Sequence, residues 1–295
     1  MMKKLFSKAV LLAAVCSLGL VPTACNDDEG GKGAGVRSEL AGSYAPAFRT
    51  VMIPGVIEEP SDFYFLLLPT WSDPDNIPAI DLSASMGMPE GSYMMPVNTI
   101  CGIVQGLVSN IVRQGLVSVD LKDDGTFGAS YHEITNMTDD VVSALFSPEF
   151  AEAVSTFPSA ETAELLPEGA LGYYTSNGMF YFTISKSFLT TAGQQMETPM
   201  DLVAVIDEML AQYGGLNIVS TKTEYAIPLK YKEENGVVEL YADLAMIRPF
   251  APLLDDLLGS LGDEAAFMGI KLADIVRLLL ENTSELEIGL LLQRI

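Results

Sequence analysis

The chain has 295 residues, of which 39 are acidic and 16 basic, for a formal charge of −23 with 49% apolar residues. Such a surplus of carboxylates opposes nucleic acid and anionic membrane surfaces, which are bound through clustered Lys and Arg; it favours solubility and attracts cations. One histidine and three cysteines exclude the usual zinc and transition-metal sites and any disulfide framework, so no metal and no cofactor is expected.

The first segment is a processing signal rather than part of the fold. Lys3, Lys4 and Lys8 make a positive start, an apolar run covers 9–21, and Thr23-Ala24 stand directly before Cys25. This resembles the bacterial lipoprotein signal. The resemblance implies that residues 1–24 are removed and that Cys25 is lipidated as the new N-terminus, although Pro22 stands where the family usually has Leu. Behind Cys25, Asn26-Asp27-Asp28-Glu29 runs into Gly30-Gly31-Lys32-Gly33-Ala34-Gly35. A segment of this composition buries no apolar surface, so 25–38 reads as a flexible tether. Its acidic run is similar to the export signal of Bacteroidota-type surface lipoproteins, which implies an outer-membrane, cell-surface location. Without its three signal-peptide lysines the chain keeps 13 basic residues against 39 acidic ones, a balance of −26.

The folded body is expected over 39–295 as one domain with ample apolar material, open to division into lobes at about 39–157 and 158–295. It opens on Leu40-Ala41-Gly42-Ser43-Tyr44, which resembles the first strand of small lipocalin-like barrels. The compact run 62–68, between Pro60 and Pro69, predicts a buried strand. Trp71-Ser72-Asp73-Pro74-Asp75-Asn76 predicts a loop. Apolar spacing over 97–113 predicts an amphipathic helix with Cys101 on its buried face and Gln105, Ser109 and Asn110 elsewhere. Asn98, Gln105, Asn110 and Arg113 interrupt it as a membrane span.

Lys122-Asp123-Asp124-Gly125 predicts a hairpin turn between strands 116–121 and 126–131. Two short helical pieces are expected next, one capped by Thr138 and one striped by Phe150, Val154 and Phe157. Asn177-Gly178 suits a two-residue type I′ turn between strands 172–176 and 179–184. Thr198-Pro199-Met200-Asp201 reads as a capping box for a helix ending at Gly214-Gly215. Strands at 218–230 and 237–244, helices at 250–261 and 271–281, and a last strand at 286–292 complete the reading. The fold class is α+β: curved antiparallel sheets packed with amphipathic helices. Helix 97–113 and helix 199–213 each precede a hairpin, which raises the prospect of two similar halves.

The chemistry is sparse. His132 would be the only base for a Ser or Cys nucleophile, and no Gly-x-Ser-x-Gly elbow or phosphate-cradling glycine loop occurs. Asp120, Lys122 and Asp124 echo a calcium loop, but Lys122 occupies a ligand position and Tyr131 stands where the bidentate acid belongs. Asp73, Asp75 and Asn76 beside Trp71, the only tryptophan, form the candidate ligand site, for a cation or for a sugar stacked on the indole. The competing reading is a turn whose Trp covers the core edge. Three functions follow in order. A non-catalytic binding module for an apolar or amphipathic ligand or a glycan comes first. An accessory lipoprotein of an outer-membrane uptake or adhesive assembly is second, and a glycan hydrolase using two carboxylates is third.

Overall fold

The computed structural model describes residues 39–53, 57–136, 147–159, 169–195, 199–214, 216–260, 266–267 and 270–295. The signal, the tether, and the caps expected at Thr138 and Thr198 lie outside the described residues.

The chain opens with four strands: β1 (Gly42–Pro46), β2 (Arg49–Ile53), β3 (Ile57–Phe63) and β4 (Phe65–Trp71). The expected single strand at 62–68 is therefore divided at Tyr64. Pro60 and Pro69 lie inside β3 and β4 rather than bounding a strand. Both can do so because each strand has a free edge. Among the described residues, β3 pairs only with β2, and β4 pairs only with the last strand. Short strands β5 (Ala79–Asp81) and β6 (Met94–Pro96) then lead into helix α1 (Val97–Gly115).

β7 (Leu116–Leu121) and β8 (Phe127–Ile134) form the hairpin expected at Lys122-Asp123-Asp124-Gly125, with Gly125 at φ +81°. β9 (Phe150–Phe157) pairs antiparallel with β8, which corrects the helix expected there. The i, i+4, i+7 spacing of Phe150, Val154 and Phe157 was real, but pairing with β8 overrides such a short period. β10 (Leu171–Ser176) and β11 (Met179–Ser185) are joined by Asn177 and Gly178 at φ 52° and 73°, the expected type I′ geometry. Helix α2 (Lys186–Gln194) follows at once, a helix the sequence reading did not anticipate, with Ser185 accepting from the Phe188 N–H.

Helix α3 (Leu202–Gln212) is capped by Asp201, which accepts from the Ala204 N–H at 3.0 Å. The cap thus lies at the acid of the expected box, and Pro199 stands ahead of the helix. β12 (Val219–Ser220), β13 (Glu224–Glu234) and β14 (Val237–Asp243) come next, with Asn235 and Gly236 at φ 53° and 77° making a second tight turn. Helices α4 (Leu244–Ile247) and α5 (Ala251–Ser260), the pair β15 (Ala266–Phe267) and β16 (Ile270–Lys271), helix α6 (Leu272–Asn282) and β17 (Thr283–Arg294) end the chain.

Eleven strands form one antiparallel sheet, ordered β10-β11-β13-β14-β17-β1-β7-β8-β9, with β12 on β13 and β4 on β17. β17 organises it. One edge pairs with β14; the other carries β4 along Thr283–Leu290 and β1 from Leu292 to Arg294. Among the described residues the sheet curls without closing: the Tyr173 N–H reaches the Gly125 carbonyl at 2.8 Å, bringing β10 against the β7–β8 turn. Inward residues Tyr44, Val119, Phe127, Tyr173, Phe180, Phe182 and Leu292 pack into one cluster from both ends of that curve.

Helix α1 occupies the inner side against β4. The sequence placed Gln105 and Ser109 off its buried face, whereas both are buried. They supply what a neighbouring strand would: Gln105 Oε1 accepts from the Leu67 N–H at 3.2 Å, and Ser109 Oγ bonds both backbone groups of Phe65. Among the described residues, no helix is long and apolar enough to cross a membrane.

Candidate functional site

Asp73 organises the Trp71 loop. Asp73 Oδ1 accepts from the Asp75 N–H at 3.2 Å and Oδ2 from the Asn76 side chain at 2.8 Å, an Asx turn that closes the loop locally. Trp71 is half-buried, pairs with Thr283 and packs on the main core. The structure therefore brings Asp73, Asp75 and Asn76 together, but in bonds with one another, while Trp71 covers the edge of the core. His132 Nδ1 lies 2.9 Å from the Ala151 carbonyl within the β8–β9 pair. Cys101 is buried on α1, and burial pushes its thiol up to about 12. No group of three or more His, Cys, Asp or Glu side chains able to hold a metal occurs among the described residues.

The outward face of β10, β11, β13, β14 and β17 carries a second polar and aromatic array. Strand alternation selects it. Tyr174 stands opposite Tyr181, which stands opposite Pro228; Lys230 stands opposite Tyr241, and Lys232 opposite Glu239. Pro228 is tolerated in an inner strand because it falls between the stretches of β13 that pair with β12 and with β14.

At one end of the array, Tyr174 and Tyr181 stack with centroids 4.6 Å apart and planes 11° apart. Tyr174 is 36% exposed and lies on β10, which ends the strand order among the described residues, with one ring face packed on Tyr181. Burial, then the nearby Tyr181 and Glu224, push the Tyr174 phenol up to about 12, so it stays a neutral donor. Sequence reading missed this pair. Its only signal was the alternation on either side of Asn177-Gly178, which puts Tyr174 and Tyr181 on the same face.

At the other end lies a charged knot. Glu239 has a side chain only 2% exposed, and Arg49 of β2 meets its Oε2. Lys232 reaches the same oxygen at 3.2 Å and Glu287 at 2.9 Å, and it sits 4.7 Å above the Tyr241 ring. Burial and the adjacent Glu287 hold the Glu239 carboxyl above its usual range, against Arg49 and Lys232. For Glu287, burial works upward, but Glu239, Lys232 and Arg49 hold it below. The two carboxylates share the same cations, and the more buried one is enclosed. The arrangement ties the hairpin to the sheet.

No protein-family model, curated protein or solved structure matches this chain.

Proposed function

We propose that this is a lipid-anchored, surface-displayed, non-catalytic module that binds glycan chains at the ledge formed by Tyr174 and Tyr181. The observation that carries the reading is the parallel, partly exposed tyrosine pair across β10 and β11, at one end of the strand order. Aromatic faces of this kind receive the apolar faces of sugar rings, while phenol hydroxyls and the neighbouring Glu224 offer hydrogen bonds to sugar hydroxyls. The inner side of the sheet is filled by α1 and the core clusters, which favours a surface ligand over one carried inside. A chain with 39 acidic and 16 basic residues repels anionic polysaccharides, so neutral or amino sugars fit best. Cys25 supplies the anchor and the tether at 25–38 the reach from the membrane.

Two measurements test this. Membrane fractionation of Cys25→Ala should find the protein soluble; continued membrane association would contradict the anchor. A glycan array probed with the native protein should retain neutral or amino glycans. Silence across the array would count against the ledge as a sugar site.

The accessory reading draws support from a different observation. β9 ends the strand order, paired only with β8 among the described residues, and Val154 on it is 52% exposed. A free edge of this kind accepts a strand from another chain.

A further inference from the structure

The loop between β5 and β6, with the first residue of β6, sets three methionines in water on a closely bonded backbone. Met86, Met88 and Met94 are 46%, 47% and 49% exposed. Apolar side chains gain nothing from such positions, yet the loop that holds them is closely bonded. Asp81 accepts the Ser83 N–H at 2.8 Å with one carboxylate oxygen and the Gly91 N–H at 2.7 Å with the other. Ser83 is fully buried and gathers the rest. Its carbonyl accepts the Met88 N–H at 2.7 Å and the Met86 N–H at 3.2 Å, and its hydroxyl accepts the Tyr93 N–H at 2.9 Å. Gly87 and Gly91, at φ 67° and 76°, make the bends this requires. One residue thus draws Met86, Met88 and the Tyr93-Met94 segment together, with Met94 opposite Asp81 in the β5–β6 pair.

We propose that Met86, Met88 and Met94 form a thioether site for a soft monovalent cation, Cu(I) or its analogue Ag(I). Three neutral sulfur donors without imidazole, thiolate or carboxylate in the set select Cu(I) over Zn²⁺, Ca²⁺ or Cu²⁺. The unbranched methionine side chain has the freedom to close on an ion from a rigid loop. The net charge of −23 and Glu90 within the loop favour a cation approaching from solution. The site is independent of the tyrosine ledge.

The test uses the full chain with methyl-labelled methionine, titrated with Ag(I), which needs no reductant, and with Cu(I) kept reduced by ascorbate against a chromogenic chelator. The methyl resonances of Met86, Met88 and Met94 should move together and saturate at one equivalent. The triple variant Met86→Leu, Met88→Leu, Met94→Leu keeps the bulk and apolar character of the loop. It should unfold at the same temperature while its affinity for both ions falls at least tenfold. Because the cysteines are identical in the two proteins, thiol binding cancels in the comparison. Methyl signals that stay in place at one equivalent of Ag(I), or a leucine variant that binds as well as the native chain, would overturn the proposal.

Discussion

The Ser109 hydroxyl meets both backbone groups of Phe65, accepting from its N–H and donating to its carbonyl, each at 3.1 Å. A helix side chain thereby does for the free edge of β4 what a paired strand does elsewhere. Ser109→Ala leaves both Phe65 groups buried without that partner, and should cost about 1–3 kcal/mol. Urea denaturation measures this, and a loss below about 0.5 kcal/mol would mean that water replaces the hydroxyl.

This contact also marks how far the sequence could be read. The 3.6-residue period located α1 to within two residues, because apolar spacing is a local signal. It assigned Ser109 and Gln105 to the wrong face, because their burial depends on β4, some forty residues away in the chain. The hairpins at Asn177-Gly178 and Lys122-Asp123-Asp124-Gly125 were legible because turn chemistry is written in two to four residues. The strand order was not, since β17 takes partners from both ends of the chain. For the same reason Arg49, Lys232, Glu239 and Glu287 carry no joint signal in the sequence.

A glycine at position 172 is required where the sheet curls onto itself. A Cβ there would lie 2.7 Å from the Gly125 carbonyl oxygen and 2.9 Å from Thr183 Oγ1. Strand propensity alone favours alanine over glycine. Close packing against a backbone oxygen reverses the sign, and Gly172→Ala should destabilise by about 1–3 kcal/mol. Thermal unfolding of the variant checks this; a gain in stability would show that β10 and the β7–β8 turn are not held together.

The Glu239–Glu287 pair predicts a pH dependence with a definite sign. The Glu239 carboxyl titrates above its usual 4.5 in the folded protein because of burial and Glu287. An acid shifted upward binds its proton more tightly when folded, so its contribution is full below the unfolded value and is lost as pH rises through the folded one. Glu287 is shifted downward, and its contribution is lost as pH falls through its folded value. Glutamine at position 239 mimics the protonated acid and does not titrate. The stability of Glu239→Gln relative to the native protein should therefore improve between about pH 4 and pH 7. Denaturation series at the two pH values give the difference, and a shift in the opposite direction would mean that Arg49 and Lys232 outweigh burial.

Removing the carboxylate altogether is a separate case. Glu239→Ala leaves Arg49 and Lys232 only Glu287 to face, and frees the β2–β3 hairpin from its ionic tie to β14. The loss should be about 2 kcal/mol, the scale of a hydrogen bond to a charged group. Hydrogen exchange should localise the added opening to 49–63, with β10 and β11 unaffected. Faster exchange spread evenly over the sheet would contradict a local tie.

The most direct measurement is the affinity of the native protein and of Tyr174→Ala for a neutral oligosaccharide retained on the glycan array, compared by calorimetry at one pH and salt concentration. Tyr174 lies at the sheet edge and is 36% exposed, so its truncation should leave the unfolding temperature within about 2 °C of native. The account predicts that affinity falls at least tenfold, about 1.4 kcal/mol. Unchanged affinity in a folded variant would place the sugar elsewhere and contradict the ledge as the binding site.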